Sequence, residues 1–253
     1  MKLSIITCTY NSEKYLQECI DSVICQNLNR DDYEHIFIDG SSNDKTKDII
    51  DKYINENPNK NIYKEERIPK GIYNAMNEGI KIAKGEYLLF LHSDDYLKQN
   101  ELNNYLDFIE QTGNLDFYYA KFNAVDKIGK FIYNAPSRKM YQKGLNRLLL
   151  GFICYINQPT VIHKKDLHIR YGYFNENLKL LSDWEFWLKL GEHNISNIFY
   201  DKTMTNFRIH YSSSTYDTKN KKISQNEYDY LLREYFGFER YLMKFVNYLY
   251  KLI

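Results

Sequence analysis

The stretch Leu3-Ser4-Ile5-Ile6-Thr7-Cys8-Thr9-Tyr10-Asn11 decides how this chain is read. Its apolar, β-branched run from Leu3 to Thr7 reads as a buried strand, because such side chains pack well on a pleated surface. Tyr15, Leu16, Cys19, Ile20, Val23 and Ile24 then recur at helical spacing, so strand, loop and helix form the opening unit. Asn11 or Ser12 is expected to cap that helix, its side-chain oxygen accepting an otherwise unpaired N–H of the first turn.

The same alternation continues outward. Glu34 to Ile38 reads as a second strand, followed by the turn-forming cluster Asp39-Gly40-Ser41-Ser42-Asn43-Asp44 and a helix with the apolar face Ile49, Ile50, Tyr53 and Ile54. Asn61 to Lys64 reads as a third strand, Ile72, Met76, Ile80 and Ala83 mark a helix ending before Gly85, and Tyr87 to Leu91 is a fourth strand. Strand and helix in alternation predict an α/β fold, a mainly parallel sheet with helices on both faces. Ligands of such sheets collect at the carboxyl ends of the strands. Thr9-Tyr10-Asn11, Asp39-Gly40 and Ser93-Asp94-Asp95 should therefore meet in one crevice.

Further along, the pattern predicts helices over Glu101 to Gln111, Leu145 to Leu150 and Asp183 to Gly191. Strands are expected at Asp116 to Val125, Lys130 to Tyr133 and Asn197 to Tyr200, and Tyr228 to Ile253 is helical in pattern. Neither a linker nor an internal repeat divides the chain.

The 253 residues are 43% hydrophobic, enough for a sizeable core, and 34 Lys plus Arg against 33 Asp plus Glu leave a formal net charge of +1. That balance offers no general field for a polyanion, so nucleic acid is not an expected partner. Cys8, Cys19, Cys25 and Cys154 show neither CxxC pairs nor a secreted disulfide spacing and read as reduced core residues. The N-terminal apolar run meets Thr9-Tyr10-Asn11 before a signal-peptide core forms. The run Leu148 to Ile156 falls short of the ~20 residues of a membrane span. A cytoplasmic protein is expected.

Ser93-Asp94-Asp95 directly follows an apolar strand, and two adjacent carboxylates repel unless solvent, hydrogen bonds or a cation compensates them. Mg²⁺ or Mn²⁺ is commonly held by one or two carboxylates together with substrate phosphates, which suits a paired acid at a strand end. The alternative is that the pair caps a helix beyond Tyr96.

Ser4 to Asn11, Asp39 to Thr46, Gly71-Ile72-Tyr73-Asn74-Ala75-Met76-Asn77-Glu78-Gly79-Ile80, Phe90 to Asp95, Asn157-Gln158-Pro159 and Leu181 to Trp187 together resemble the family 2 glycosyltransferases, inverting enzymes of the Rossmann-like GT-A fold. The resemblance implies that Thr9, Tyr10, Asn11 and Asp39 bind the nucleotide base. It further implies donor contacts from Ser93, from Asp94 at the ribose, and from Lys70, Gly71 and Arg208 near the diphosphate. Asp95 is implied as the direct ligand of Mn²⁺ or Mg²⁺, His210 as a second ligand from a loop running to Ser214, and Asp183 as the catalytic base. His92 stands where relatives usually carry Asp or Asn and is read as structural. Met76 replaces a frequent Arg, and Ser182 replaces a frequent Glu. Other roles stay open beside these: Asp39 as a turn-starting residue, Asp183 as an acid favoured by a helix N-terminus, His210 as a packing residue.

The implied reaction moves a hexose (glucose, galactose or an N-acetyl form) from a UDP-sugar to an acceptor hydroxyl. Small enzymes resembling this one extend undecaprenyl-diphosphate-linked sugars in O-antigen or capsule assembly, at the cytoplasmic face of the inner membrane. The expected organisation is one GT-A domain over 1–215, with a nucleotide-sugar half (1–96) and an acceptor and catalytic half (97–215), followed by a basic, aromatic helical extension (216–253). Arg233, Arg240, Lys244 and Lys251 on that extension suit either an anionic membrane surface or a helix packed on the domain with solvated cations.

A dinucleotide-dependent oxidoreductase is argued against by the lack of a GxGxxG loop after the first strand. A nucleotidyltransferase would need a Gly-rich basic loop there, and none is present. A catalytically silent carbohydrate- or nucleotide-binding protein of the same fold is the remaining rival.

Overall fold

The computed structural model describes residues 2–134, 145–152, 154–211, 213 and 218–244. Four strands, β1 (Leu3–Thr9), β2 (Tyr33–Asp39), β3 (Ile62–Glu66) and β4 (Tyr87–Phe90), alternate with helices α1 (Leu16–Ile24), α2 (Thr46–Glu56) and α3 (Ile72–Ile82). They pair in parallel, as the alternating pattern predicts, and stand in the order β3-β2-β1-β4.

The second half extends the same sheet with mixed directions. Its elements are β5 (Tyr96–Leu97), α4 (Glu101–Gln111), β6 (Phe117–Val125), β7 (Phe131–Asn134), α5 (Arg147–Phe152), β8 (Ile162–Lys164), α6 (Asp166–Tyr171), α7 (Ser182–Leu190), β9 (Asn197–Arg208) and α8 (Lys221–Tyr235). From β4 the sheet continues through β8, β6 and β9 to β5, with β7 hanging on β6 as a hairpin. β8 is antiparallel to both β4 and β6, β6 runs parallel to β9, and β9 is antiparallel to β5.

Period-two alternation sorts the side chains onto two faces. Leu3, Ile5, Tyr87 and Leu89 point to one side, where α1 and α4 supply Cys19, Val23, Leu102 and Tyr105. Ile6, Cys8, Leu88 and Phe90 point to the other, against Met76 and Ile80 of α3, Trp187 of α7 and Leu231 of α8. Covering both faces explains why β1 is buried along its whole length.

Several expectations are corrected. β9 runs on to Arg208 instead of stopping near Tyr200, which carries its end to the acidic turn. β5, β8 and α6 are too short to leave a periodic signature. Tyr96 and Leu97 are strand, so Asp94 and Asp95 cap no helix. The N-cap of α1 is Tyr15 without a side-chain hydrogen bond, and the Ser12 carbonyl accepts the N–H groups of Tyr15 and Leu16. All four cysteines are free, but Cys25 and Cys154 lie at the surface, not in the core.

Leu231, Leu232, Phe236 and Met243 are buried in the main core, so this part of the C-terminal extension packs on the domain. Residues 245–253, including Lys251, and Ser212 and Ser214 of the late loop lie outside the described residues. No helix among the described residues is long and apolar enough to cross a membrane.

Candidate active site

The carboxyl ends of β1, β2 and β4 open onto a cleft of about 1920 Å³. Two loops build one wall by locking together. Asn11 donates its backbone N–H to Ser42 Oγ (2.9 Å) and accepts the Asn43 N–H on its side-chain oxygen (2.9 Å), while the Ser12 N–H reaches Thr46 Oγ1 (2.7 Å). Asn11 and Ser41 hold the left-handed conformation at φ 50° and 57°, which a short polar side chain tolerates and a β-branched one does not. Ser93 joins the wall through a 2.9 Å hydrogen bond to Ser12 Oγ.

Thr9, Tyr10 and Asn11 line the cleft, and Tyr10 exposes 58% of its surface at the lip. Gly40 lies under it, where a Cβ would come within 3.2 Å of the Tyr10 ring and 3.4 Å of Pro69. Gly71, at the start of α3, has φ 104°, a backbone that L side chains rarely adopt. Lys70 and Gly71 line the same wall as Arg67.

Asp39 is placed behind this wall, not on it. Its carboxylate is fully buried and accepts from Thr9 Oγ1 (2.8 Å), Ser42 Oγ (2.6 Å) and the Ser42 N–H (2.8 Å). In this placement Asp39 ties together the two loops whose residues face the cleft.

At the acidic turn, Asp94 Oδ2 and His210 Nε2 are hydrogen-bonded at 2.9 Å, and both residues line the cleft. Burial pushes the Asp94 carboxyl up, but the His210 hydrogen bond and the neighbouring His92 and His210 outweigh it, holding the group below its ordinary value. The His210 ring lies 5.0 Å from Tyr15.

Asp95 is the more deeply buried of the pair. It is buried at 1% exposure, its Oδ1 accepts the Arg208 N–H at 2.8 Å, and burial together with the Asp94 charge pushes its carboxyl well above the usual range. Of the adjacent pair, Asp94 lines the cleft, whereas Asp95 is buried and its Oδ2 has no hydrogen-bond partner among the described residues. Arg208 is buried as well. Its guanidinium donates to the Asp94 carbonyl (2.9 Å), pairs with Glu18 and packs over the Tyr15 and Tyr96 rings. In this placement Arg208 braces the acidic turn.

Asp183 sits in the first turn of α7 and lines the cleft. Burial raises its carboxyl above the ordinary value, opposed by the Trp184 N–H and by the Tyr73 hydroxyl, which donates to Oδ1 at 3.0 Å. His92, read from the sequence as structural, lines the cleft too, and its charge bears on both Asp94 and Asp183. Among the described residues no group of three or more His, Cys, Asp and Glu could hold a metal. Asp94 with His210 offers one carboxylate and one imidazole, a donor pair that suits Mn²⁺ or Mg²⁺ when substrate oxygens complete the shell.

Tyr73 stands inside the Gly71 to Ile80 motif, where the sequence assigns it no role of its own, on the same helix face as Met76 and Ile80. The α8 residues on the cleft, Tyr228 among them, left no signal beyond helical spacing.

Residues 4–170 match the model of the glycosyl transferase family 2 domain. Poly(ribitol-phosphate) beta-glucosyltransferase of Bacillus spizizenii is 38% identical over 111 residues, which are 44% of this chain and 18% of that protein. Poly(ribitol-phosphate) beta-N-acetylglucosaminyltransferase TarS of Staphylococcus aureus is 32% identical over 194 residues, 75% of this chain and 32% of that protein. The chain thus spans a third or less of the length of these two relatives. The crystal structure of S. aureus TarS 1–349 in complex with UDP-GlcNAc superposes with a TM-score of 0.69 at 25% identity, over 93% of this chain and 71% of the other. A mannosyltransferase of Pyrobaculum calidifontis in complex with GDP-Man and Mn²⁺, at TM-score 0.61 and 18% identity over 80% of this chain and 56% of the other, shares the fold.

Proposed function

The chain belongs to glycosyl transferase family 2, and from that membership we propose that it transfers a hexose or N-acetylhexosamine from a UDP-sugar to an acceptor hydroxyl with inversion. The observation that carries the proposal is the Asp183 carboxylate, raised by burial and held by Tyr73, in the same cleft as Asp94 and His210. UDP and UDP-GlcNAc in the TarS structures support a uridine donor, with N-acetylglucosamine and glucose the first sugars to try.

In this reading Tyr10 covers the uracil ring from the lip, Thr9 and Asn11 meet its polar edge, and Lys70 with the Gly71 backbone approaches the diphosphate. Asp94 and His210 would hold Mn²⁺ or Mg²⁺, which would offset the charge of the diphosphate leaving group. Asp183 takes the proton of the acceptor hydroxyl as its oxygen bonds to the anomeric carbon. The carbon–oxygen bond to the β-phosphate breaks on the opposite face and UDP leaves with the electron pair. Attack and departure on opposite faces invert the centre.

The names of the two relatives support a hydroxyl of a poly(ribitol-phosphate) as the acceptor in place of O-antigen or capsule assembly. A panel of UDP-sugars assayed against polymer and lipid-diphosphate acceptors, with the linkage read by NMR, tests donor, acceptor and stereochemistry together. Retention of configuration would remove Asp183 as the base of a single displacement. A silent binding protein would transfer nothing from any donor.

A further inference from the structure

The motif Asn157-Gln158-Pro159 takes no part in the reaction proposed above. It leads into a single 3₁₀ turn, Gln158–Thr160, just ahead of β8. That turn is pinned from several directions. The N–H groups of Thr160 and Val161 donate to the Asn157 and Gln158 carbonyls (both 3.0 Å), and Thr205 Oγ1 of β9 donates to the Pro159 carbonyl at 2.7 Å. Thr160 Oγ1 donates to the Asn157 carbonyl at 2.8 Å and accepts the Ala120 N–H of β6 at 3.3 Å.

The Gln158 side chain stands in contrast to this main chain. The residue is buried at 6% exposure, and neither Oε1 nor Nε2 has a hydrogen-bond partner among the described residues. Buried amides are almost always paired, because each unpaired end forfeits the water it had in the unfolded chain. Gln158 lines the cleft, so a bound ligand is in a position to supply the bonds that the fold does not.

The place of the turn says which part of a ligand this is. β8 pairs with β4 through Ile162 and Leu89, so the turn ahead of Ile162 stands beside the end of β4, where the chain runs into His92, Ser93 and Asp94. In the other direction Tyr155 and Ile156 line the cleft and lead back to α5, whose Leu150 carbonyl accepts the indole N–H of Trp184 (3.1 Å), the neighbour of Asp183. The segment carrying Gln158 thus joins the α7 end of the cleft to the acidic turn. In the reaction above, the sugar lies between a diphosphate near Asp94 and a hydroxyl at Asp183.

We propose that Gln158 binds the sugar of the donor and is a specificity-determining residue of this cleft. Its Oε1 accepts from a sugar hydroxyl, while Nε2 donates to a neighbouring hydroxyl or to an acetamido carbonyl. Phosphate oxygens offer only acceptors and would meet the carbonyl end unfavourably, so the amide suits the pyranose and not the diphosphate. The rotatable bonds of a glutamine let the amide turn toward a ligand while the pinned main chain stays in place. A sugar without the matching groups leaves the amide unpaired, which is how a polar site rejects an analogue. The assignment rests on the donor reading above.

Calorimetry on the whole chain, with Mn²⁺ present and no acceptor, compares UDP, UDP-glucose, UDP-galactose and UDP-N-acetylglucosamine on the wild type and on Gln158→Met. Met fills nearly the same space without the amide. UDP should bind both proteins alike. The sugar nucleotide that the wild type binds best should lose roughly ten- to hundredfold in affinity in the variant, and the differences among the three sugars should shrink. A loss confined to UDP-N-acetylglucosamine assigns the amide to the acetamido group, and a loss shared by all three assigns it to a common hydroxyl. The melting temperature of the variant should rise, since an unpaired buried amide gives way to an apolar chain. A fall would mean that the amide is already paired within the fold and would overturn the proposal. Unchanged affinities for all three sugar nucleotides overturn it as well, and Gln158→Ala repeats the comparison with a smaller side chain. Failure of the wild type to bind UDP would strike the donor reading itself.

Discussion

Tyr73 donates its hydroxyl hydrogen to Asp183 Oδ1 across 3.0 Å, joining α3 to the first turn of α7 over 110 residues of sequence. A donor of this kind favours the charged carboxylate, while burial favours the neutral acid, and burial wins. Tyr73→Phe removes the donor and leaves the burial, so the acid limb of the kcat profile should move to higher pH. Turnover at neutral pH should fall by roughly two- to tenfold, the scale of one hydrogen bond. A profile that stays in place would detach Tyr73 from the base.

Asp183→Asn should keep UDP binding and lower turnover by roughly 10²- to 10⁴-fold, as expected for loss of a general base. Stopped-flow or product assays together with UDP calorimetry check both halves. Near-normal turnover would exclude the base role.

Asp94 and Asp95 are adjacent in sequence and unequally buried, so their variants should differ in kind. Asp94→Ala and His210→Ala should lose Mn²⁺ binding, read by electron paramagnetic resonance, with little change in melting temperature. Asp95→Asn keeps an oxygen for the Arg208 N–H and should retain Mn²⁺ binding. Asp95→Ala leaves that buried N–H without its partner and should cost about 1–3 kcal/mol of stability in denaturant unfolding.

Glu227 holds three successive N–H groups just ahead of Asp183. Glu227→Ala should lower kcat and leave UDP affinity unchanged, because the donor wall is built from other elements. Glu227→Gln keeps an acceptor oxygen and should recover much of the turnover. Equal loss in both variants would mean that the charge itself, and not the clamp, matters.

His35 and His168 are buried, and burial lowers both to about 3 from an ordinary value near 6.5. Below about pH 6.5 the unfolded chain takes up protons that the folded chain refuses, so stability present above that pH is lost as pH falls toward 3. Denaturant midpoints measured between pH 7.5 and 4.5 should therefore decline. His35→Phe, placed beside Phe37 and Tyr53, should flatten the decline.

The parallel pairing of β1 to β4 was legible from the chain alone, since the short apolar run from Leu3 to Thr7 reads as a buried strand and each crossover helix prints a period near 3.6, as Leu16 to Ile24 does. So was the gathering of Tyr10, Ser93 and Asp94 at one sheet end, because parallel strands put their carboxyl termini on one side. Which residue of Asp94-Asp95 lines the cleft was not legible: the two differ in burial, and the difference is set by where β9 ends and Arg208 presents its N–H. The partnership of Tyr73 with Asp183, the pairing of Asp94 with His210 and the α8 wall likewise come from contacts over long sequence separations. Local spacing carries the energetics of single elements, and only packing of those elements decides which side chains share a cleft.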